Sequence, residues 1–330
     1  MEGLIIAVVI AALFFDYTNG FHDAANAVAT CISTRAVPPN LALFAAAVLN
    51  VLGALVSTQV ASTLAKGIVE ATAVTEPVML GGLVGAIVWN LLTWWWALPS
   101  SLSHCLIGGV VGAVLVTSGS EQVKWDAIAT KVLVPTVVAP LIGFAVGITL
   151  MVVILWLFRN AQPGLITRRF RLAQLVSAGF MAFSHGANDA QKTMGVITLA
   201  LFAGGYIPEL IVPLSVKLAA ALVIGLGTYS GGRRIIRTMG MRLVKLTPVH
   251  GFAAETAASA VLLGTAHLGL PVSTTHVITT SIMGVGASQR LSAVKWGLTR
   301  DIFLAWVFTL PAAGAIGALC ALVSQYLFRP

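Results

Sequence analysis

Charge is what this sequence has least of. Among 330 residues there are 19 Lys and Arg and 11 Asp and Glu, while 58% of positions are hydrophobic and mean hydropathy is +0.95. A soluble domain carries about a quarter of its residues as charges, so this composition excludes one and leaves a polytopic membrane protein. Cysteine is also scarce. Cys31, Cys105 and Cys320 lie far apart inside apolar runs, a spacing that excludes a disulfide framework and a local metal site. Basic residues are missing from the start, Met1-Glu2-Gly3, and the apolar run after it ends in a polar motif; both features argue against a signal peptide. The Gly-rich stretch Gly225–Gly232 is not followed by the Lys of a phosphate loop, which excludes nucleotide binding by that device. Net charge is +8, but the basic residues fall between apolar runs, where membrane topology puts them, so no nucleic-acid partner is implied.

What the chain has instead is long apolar runs, several near the ~20 residues a spanning helix needs. One runs from Leu4, is interrupted by Asp16-Tyr17-Thr18-Asn19-Gly20-Phe21-His22-Asp23, and resumes to about Thr34. A second follows Pro38-Pro39 to about Ala65. Pro77–Leu98 is followed by the break Pro99-Ser100-Ser101-Leu102-Ser103-His104, then Cys105–Val116, and Val132–Phe158 closes the first half. After a polar, basic stretch the pattern returns. Asn19-Gly20-Phe21-His22-Asp23 is echoed by His185-Gly186-Ala187-Asn188-Asp189 at an offset of 166, and Pro99–His104 by Pro271-Val272-Ser273-Thr274-Thr275-His276 at 172. Lys124-Trp125 and Lys295-Trp296, and Pro140 with Gly143 and Pro311 with Gly314, match at 171. Ordered matches at nearly one offset mean two copies of one unit.

Each unit reads as two spanning helices, a helical hairpin with a broken, hydroxyl-rich tip, and a further spanning helix. A hairpin adds an even number of crossings, so each unit crosses an odd number of times and the copies insert in opposite senses. The expected fold is therefore all-α with two inverted-topology repeats: residues 1–158, a basic cytoplasmic linker at 159–171, and residues 172–330. The basic clusters Arg159–Arg171 and Arg233–Lys245 are separated by two spans, fall on one side, and mark it as cytoplasmic. Both termini then face outward, across a bacterial or archaeal plasma membrane.

Charge inside a membrane is costly and signals function. Asp16, Asp23, Asp189, Lys192 and Glu255 all lie within apolar runs. Asp23 and Asp189 are repeat mates and are expected to bind the driving cation or exchange protons, with Asp16 and Glu255 as further coupling carboxylates; for Asp16 an ion pair that fixes register is the competing reading. Gly20 and Gly186, three residues before the two aspartates, permit a helix break or a close approach. Asn26 and Lys192 lie three residues after those aspartates, on the same helix faces, and both are expected to bind substrate, Lys192 by offering its charge to an anion. The hairpin tips offer a second constellation. Ser or Thr after proline is a natural N-cap, and helix N-termini with hydroxyls hold anions. Ser101, Ser103, Ser273, Thr274 and Thr275 thus form a neutral, donor-rich pocket suited to a tetrahedral oxyanion. His104 and His276 read as satisfied hydrogen-bonding residues, and Trp94-Trp95-Trp96 as an interface belt or hairpin packing. His22 and His185 flank the acidic motifs without being strict mates.

These strings resemble the Pit-type inorganic phosphate transporter family. Asn19–Thr30 resembles its first signature and Phe183–Lys192 its second, and the hairpin motifs and Ala305–Pro311 also match. The resemblance, closest to the bacterial low-affinity members, implies proton-coupled symport of phosphate as a neutral metal-phosphate complex. It implies that Asp23, Asn26, Asn188, Asp189 and the hairpin hydroxyls form the substrate and cation sites. Two features depart from the pattern: Leu102 stands where a hydroxyl is usual, and the large cytoplasmic insertion of many relatives is absent. The expected partners are inorganic phosphate, a coupling proton or sodium ion and the lipid bilayer, with a homodimer admissible and no cofactor, resident metal or enzymatic step. Rival readings are a sulfate permease on the same scaffold, an intramembrane aspartyl protease using Asp23 and Asp189, and a passive channel.

Overall fold

The structure, a computed structural model, describes residues 2–327. Its helices, in chain order, are α1 (Glu2–Ser33), α2 (Pro39–Ala54), α3 (Gln59–Gly67), α4 (Glu76–Trp95), α5 (Leu102–Ser118), α6 (Trp125–Leu157), α7 (Pro163–Ala203), α8 (Leu214–Ser230), α9 (Arg233–Arg242), α10 (Pro248–His267), α11 (Thr274–Ala287) and α12 (Trp296–Leu327). Proline starts several of them, at Pro39, Pro163 and Pro248, where its missing N–H has no partner to lose. Among the described residues there is no strand, only a single bridge between Val69 and Val123.

The chain is a multi-pass membrane protein. α1, α4, α6 and α12 are long and apolar enough to cross a membrane, and α2 with α3 and α8 with α9 qualify as bent pairs, at 65° and 60°. The outer face is apolar, and many polar groups lie in the interior among the apolar core. Leu141 and Val307 are 63% and 69% exposed, whereas Asp16, Glu255, Asn50 and Gln174 are wholly buried. That inversion suits a hydrocarbon solvent, in which buried polar groups must find partners inside the protein.

The two runs of six helices pack as counterparts. α1 lies on α8 as α7 lies on α2, α4 on α5 as α10 on α11, and α3 on α7 as α9 on α1. The last helix of each run is exchanged: α6 packs against α10 and α11, and α12 against α4 and α5. The sequence repeats are therefore not separate bodies, since each is completed by a helix of the other. The mates α1 and α7 run antiparallel along their contact. Asp16 meets Thr193 at 2.9 Å, Asp23 faces His185 at 3.9 Å, and Thr34 meets Gln174 at 2.7 Å.

The structure corrects two expectations. The stretch 159–171 is a linker only as far as Gln162; from Pro163 onward it is the first turns of α7, a 41-residue helix. Proline at the helix start and a run of Arg and Leu favour helix there more than loop. Neither Gly20 nor Gly186 breaks its helix. A Cβ on Gly20 would instead run into the α8 backbone at Ile224 and Thr228, and one on Gly186 into that of Asn50. These glycines bring helices together at the height of the acidic motifs.

Candidate functional site

The hairpin tips form alike. Ser101 and Ser273 are extended residues whose hydroxyls accept the backbone N–H of His104 and His276, each at 3.3 Å, so α5 and α11 begin with matched side-chain caps. The tips touch, Ser103 Oγ donating to the Val272 carbonyl at 3.2 Å. The structure thus joins the expected hydroxyls at one place, beside the two acidic motifs.

Thr274 ties the motifs together. Its hydroxyl donates to Asp189 Oδ2 at 2.8 Å and lies 3.4 Å from Asp23 Oδ2. Thr275 donates to both Asp23 oxygens at 3.1 Å. Asn26 Nδ2 supports them from α1, at 3.0 Å from Thr275 Oγ1 and 3.3 Å from Thr274 Oγ1, while Asn26 Oδ1 has no partner. Lys192 pairs with Asp189, one helical turn away, and donates to Ser103 Oγ at 2.6 Å and the Val272 carbonyl at 2.8 Å. Its three ammonium protons are therefore all engaged, and it is the fastener between the second acidic motif and both tips.

Sequence reasoning left His22 and His185 unassigned, yet both belong here. His22 Nδ1 is 2.8 Å from Asp23 Oδ1. His185 Nε2 is 3.1 Å from Asp189 Oδ2 and 3.9 Å from Asp23 Oδ2. Its other nitrogen meets Asn50 Oδ1 at 2.8 Å, Asn50 Nδ2 donates to Thr228 Oγ1 at 2.8 Å, and Thr228 donates to the Ile224 carbonyl. That order leaves Nδ1 as the donor and turns Nε2 toward the carboxylates, where only an N–H or a shared cation is attractive. Asp23, His185 and Asp189 each bring one ligand atom to within 4.8 Å of the others, close enough for a cation held between them. Two buried carboxylates and one lysine leave a negative charge to be balanced, which suits such a site. The signal for His185 was its position four residues before Asp189, on the same helix face.

Other expected residues make no side-chain bond within this cluster. Asp16 takes one bond, from Thr193 at 2.9 Å, and its Oδ2 has no partner; no ion pair fixes it. Asn188 is buried with neither amide atom partnered. Glu255 occupies a separate pocket between α1, α7 and α10, where Thr30, Ser177 and Gln174 all donate to it. Thr30 is two turns beyond Asp23 on α1, about 10 Å along the helix. His104 is satisfied by Thr136 at 2.7 Å, but His276, expected to be, has no partner on either nitrogen. It stacks on Trp306 at 3.9 Å instead and lines a cavity of about 430 Å³ between α6 and α12. Trp95 and Trp96 are exposed, with Arg234 over Trp94 and Trp95.

Comparison with known proteins agrees with this layout. The sequence model described as the phosphate transporter family matches the chain twice, over residues 19–168 and 161–317. The chain is 46% identical over 319 residues to a "Probable low-affinity inorganic phosphate transporter" of Rhizobium meliloti (strain 1021), covering 96% of this chain and 95% of that one. It is 40% identical over 328 residues to a protein of the same name from Bacillus subtilis (strain 168), covering 98% of each. A solved structure named "The sodium-dependent phosphate transporter" superposes with a TM-score of 0.86 at 25% identity, over 99% of this chain and 100% of that one.

Proposed function

Because the chain belongs to the phosphate transporter family, we propose that it carries inorganic phosphate across the cell membrane as a cation symporter of alternating-access type. One observation carries this reading: both acidic motifs and both hydroxyl-capped hairpin tips converge on one buried place, bridged by Thr274. Hydroxyl and amide donors of Ser103, Thr274, Thr275 and Asn26 suit a tetrahedral oxyanion, whose acceptors point in every direction. In this structure those hydroxyls serve the carboxylates and Val272. Oxyanion and carboxylate compete for the same donors, so a cation or proton that neutralises Asp23 and Asp189 frees the donors for substrate. Binding both together also lowers the charge that must cross low dielectric.

The antiparallel run of α1 against α7, and the exchange of α6 and α12, support inverted repeats that rock about this place. The motifs suit protons as the coupling ion and admit a divalent metal travelling with phosphate, between Asp23, His185 and Asp189. Labelled phosphate uptake in proteoliposomes, under imposed proton, sodium and magnesium gradients one at a time, tests the reading. An inward proton gradient is expected to drive accumulation, unlabelled phosphate to compete and sulfate not to. Asp189→Asn is expected to insert and yet lose accumulation; normal accumulation by that variant removes its coupling role. Sulfate that competes as well as phosphate moves the assignment to a sulfate permease.

A further inference from the structure

Where α1 ends and α2 begins, α9 packs alongside α1 and the surface opens into a cleft of about 490 Å³. Buried Leu43 and half-buried Ile32 line its inner part, and Arg233, Arg237, Asn40 and Met241 its exposed part. The cleft sits at helix ends, and so at the height where hydrocarbon gives way to headgroups. The two arginines, four residues apart, share one face of α9. Among the described residues neither enters an ion pair, while Arg234 between them is held over Trp94 and Trp95. α2 starts beside them at Pro39 with no side-chain cap, which leaves its positive end uncompensated there.

The other repeat has no such pair. α3, which packs on α7 as α9 packs on α1, carries one cation, Lys66, in its last turn. The paired arginines therefore belong to one face, which the positive-inside rule makes cytoplasmic, the side whose leaflet is rich in anionic lipid. Topology alone asks only for cations on that face, and Arg242 and Lys245 supply them without lining the cleft.

We propose that the cleft binds an anionic phospholipid, its phosphate held between the Arg233 and Arg237 guanidinium groups and its chains running out along α2. A planar guanidinium pairs with two phosphate oxygens at once, and the Asn40 amide has N–H groups to add. A free phosphate ion would satisfy the arginines and leave the apolar lining of Leu43, Ile32 and Met241 uncovered; a lipid satisfies both. Beyond the cleft α2 continues with Leu41 and Phe44, 56% and 57% exposed, an apolar path for acyl chains.

A lipid held there acts on the first hairpin. α9 leaves α8 at a 60° bend, through Gly231 at a φ of +68°. From α9, Arg234 Nη1 donates to the Trp95 carbonyl at 2.9 Å and Thr238 Oγ1 to that of Ala97 at 3.0 Å. Anchoring α9 by Arg233 and Arg237 therefore steadies the turn that leads into Pro99 and the first tip. This consequence rests on the transport reading; the site itself does not.

The test reconstitutes the full chain in vesicles of phosphatidylcholine, alone or mixed with phosphatidylglycerol, extracts it in mild detergent and identifies the retained lipid by mass spectrometry. The wild type is expected to retain phosphatidylglycerol over phosphatidylcholine. Arg233→Gln with Arg237→Gln is expected to weaken that preference by about fivefold for each arginine lost, the worth of one basic residue at an anionic lipid surface. Arg242→Gln with Lys245→Gln removes the same charge outside the cleft and is expected to keep it. Equal loss in both double variants, or no preference in the wild type, overturns the site. Added inorganic phosphate is expected to leave the lipid in place; displacement makes the occupant a free anion and overturns the lipid. In the same vesicles, exchange of labelled for unlabelled phosphate is expected to rise severalfold with phosphatidylglycerol in the wild type and not in the Arg233 and Arg237 variant. An equal response in both overturns the bracing of the hairpin. A wild type that retains the lipid and exchanges no phosphate in either vesicle overturns the transport reading and not the site.

Discussion

The two hairpin tips start from nearly the same letters, Pro-Ser-Ser-Leu-Ser-His and Pro-Val-Ser-Thr-Thr-His, and end with different work. Their caps match to a tenth of an ångström, Ser101 and Ser273 each 3.3 Å from the backbone N–H three residues on. Past the caps they diverge. Thr274 and Thr275 of the second tip reach both carboxylates, whereas Leu102, at the place of Thr274, is buried and gives no donor. The first tip reaches the acidic motifs only through Ser103 and Lys192. One tip therefore senses the charge state of Asp23 and Asp189 directly and the other through a lysine.

Lys192 is where this asymmetry breaks most severely. Lys192→Met keeps the length of the side chain but leaves Asp189 buried without its cation. Stripping one partner from a buried ion pair costs about 3–5 kcal/mol. Thermal unfolding in detergent should show the largest loss of any single substitution at the site, and phosphate uptake should fall to background. Lys192→Met combined with Asp189→Asn should recover much of the stability and none of the uptake. If the double variant transports, the fastener is only structural.

Thr274→Val comes next. Valine keeps the shape and removes the bridge between the carboxylates, while Asp189 retains Lys192 and Asp23 retains Thr275 and His22. The expected stability loss is about 1–3 kcal/mol, read by the same unfolding measurement. Uptake should drop more than tenfold, roughly the worth of one charge-assisted hydrogen bond. Ser103→Ala, the corresponding cut at the first tip, costs less. Lys192 keeps Asp189 and the Val272 carbonyl, so about 1 kcal/mol and a few-fold loss of uptake are expected. Equal effects of the two substitutions would erase the distinction between a tip that senses charge and one that follows.

Much of this was legible in the sequence, for reasons that differ by residue. The two copies, the caps and the buried aspartates could be read because each depends on local spacing: a proline before a hydroxyl, a carboxylate in an apolar run. The convergence of Asp23, Asp189 and both tips followed from the repeat. What could not be read depends on contacts between distant segments. The exchange of α6 and α12 between repeats leaves no mark in either repeat's own pattern. Glu255 could be read as charged and buried, but not that Thr30, Gln174 and Ser177, polar residues on two other helices, would enclose it in a separate pocket. Gly20 and Gly186 announced permissiveness without saying which use is made of it, and close helix packing won over a break. His22 and His185 were visible beside the motifs, but their bonds to Thr93 and Asn50 were not.

The smallest expected difference is the sharpest check on the comparison. If the tips diverge only past their caps, then Ser101→Ala and Ser273→Ala should cost the same. Each removes one side-chain cap from one buried helix start, worth about 0.5–2 kcal/mol, and neither serine touches a carboxylate through its recorded bond. Matched losses of unfolding temperature, with matched and modest losses of uptake, would place the asymmetry at Leu102 and Thr274. A cap that mattered far more on one side would mean that the hydroxyl there does a second job, at the oxyanion itself, and the division of labour between the tips would have to be drawn one residue earlier.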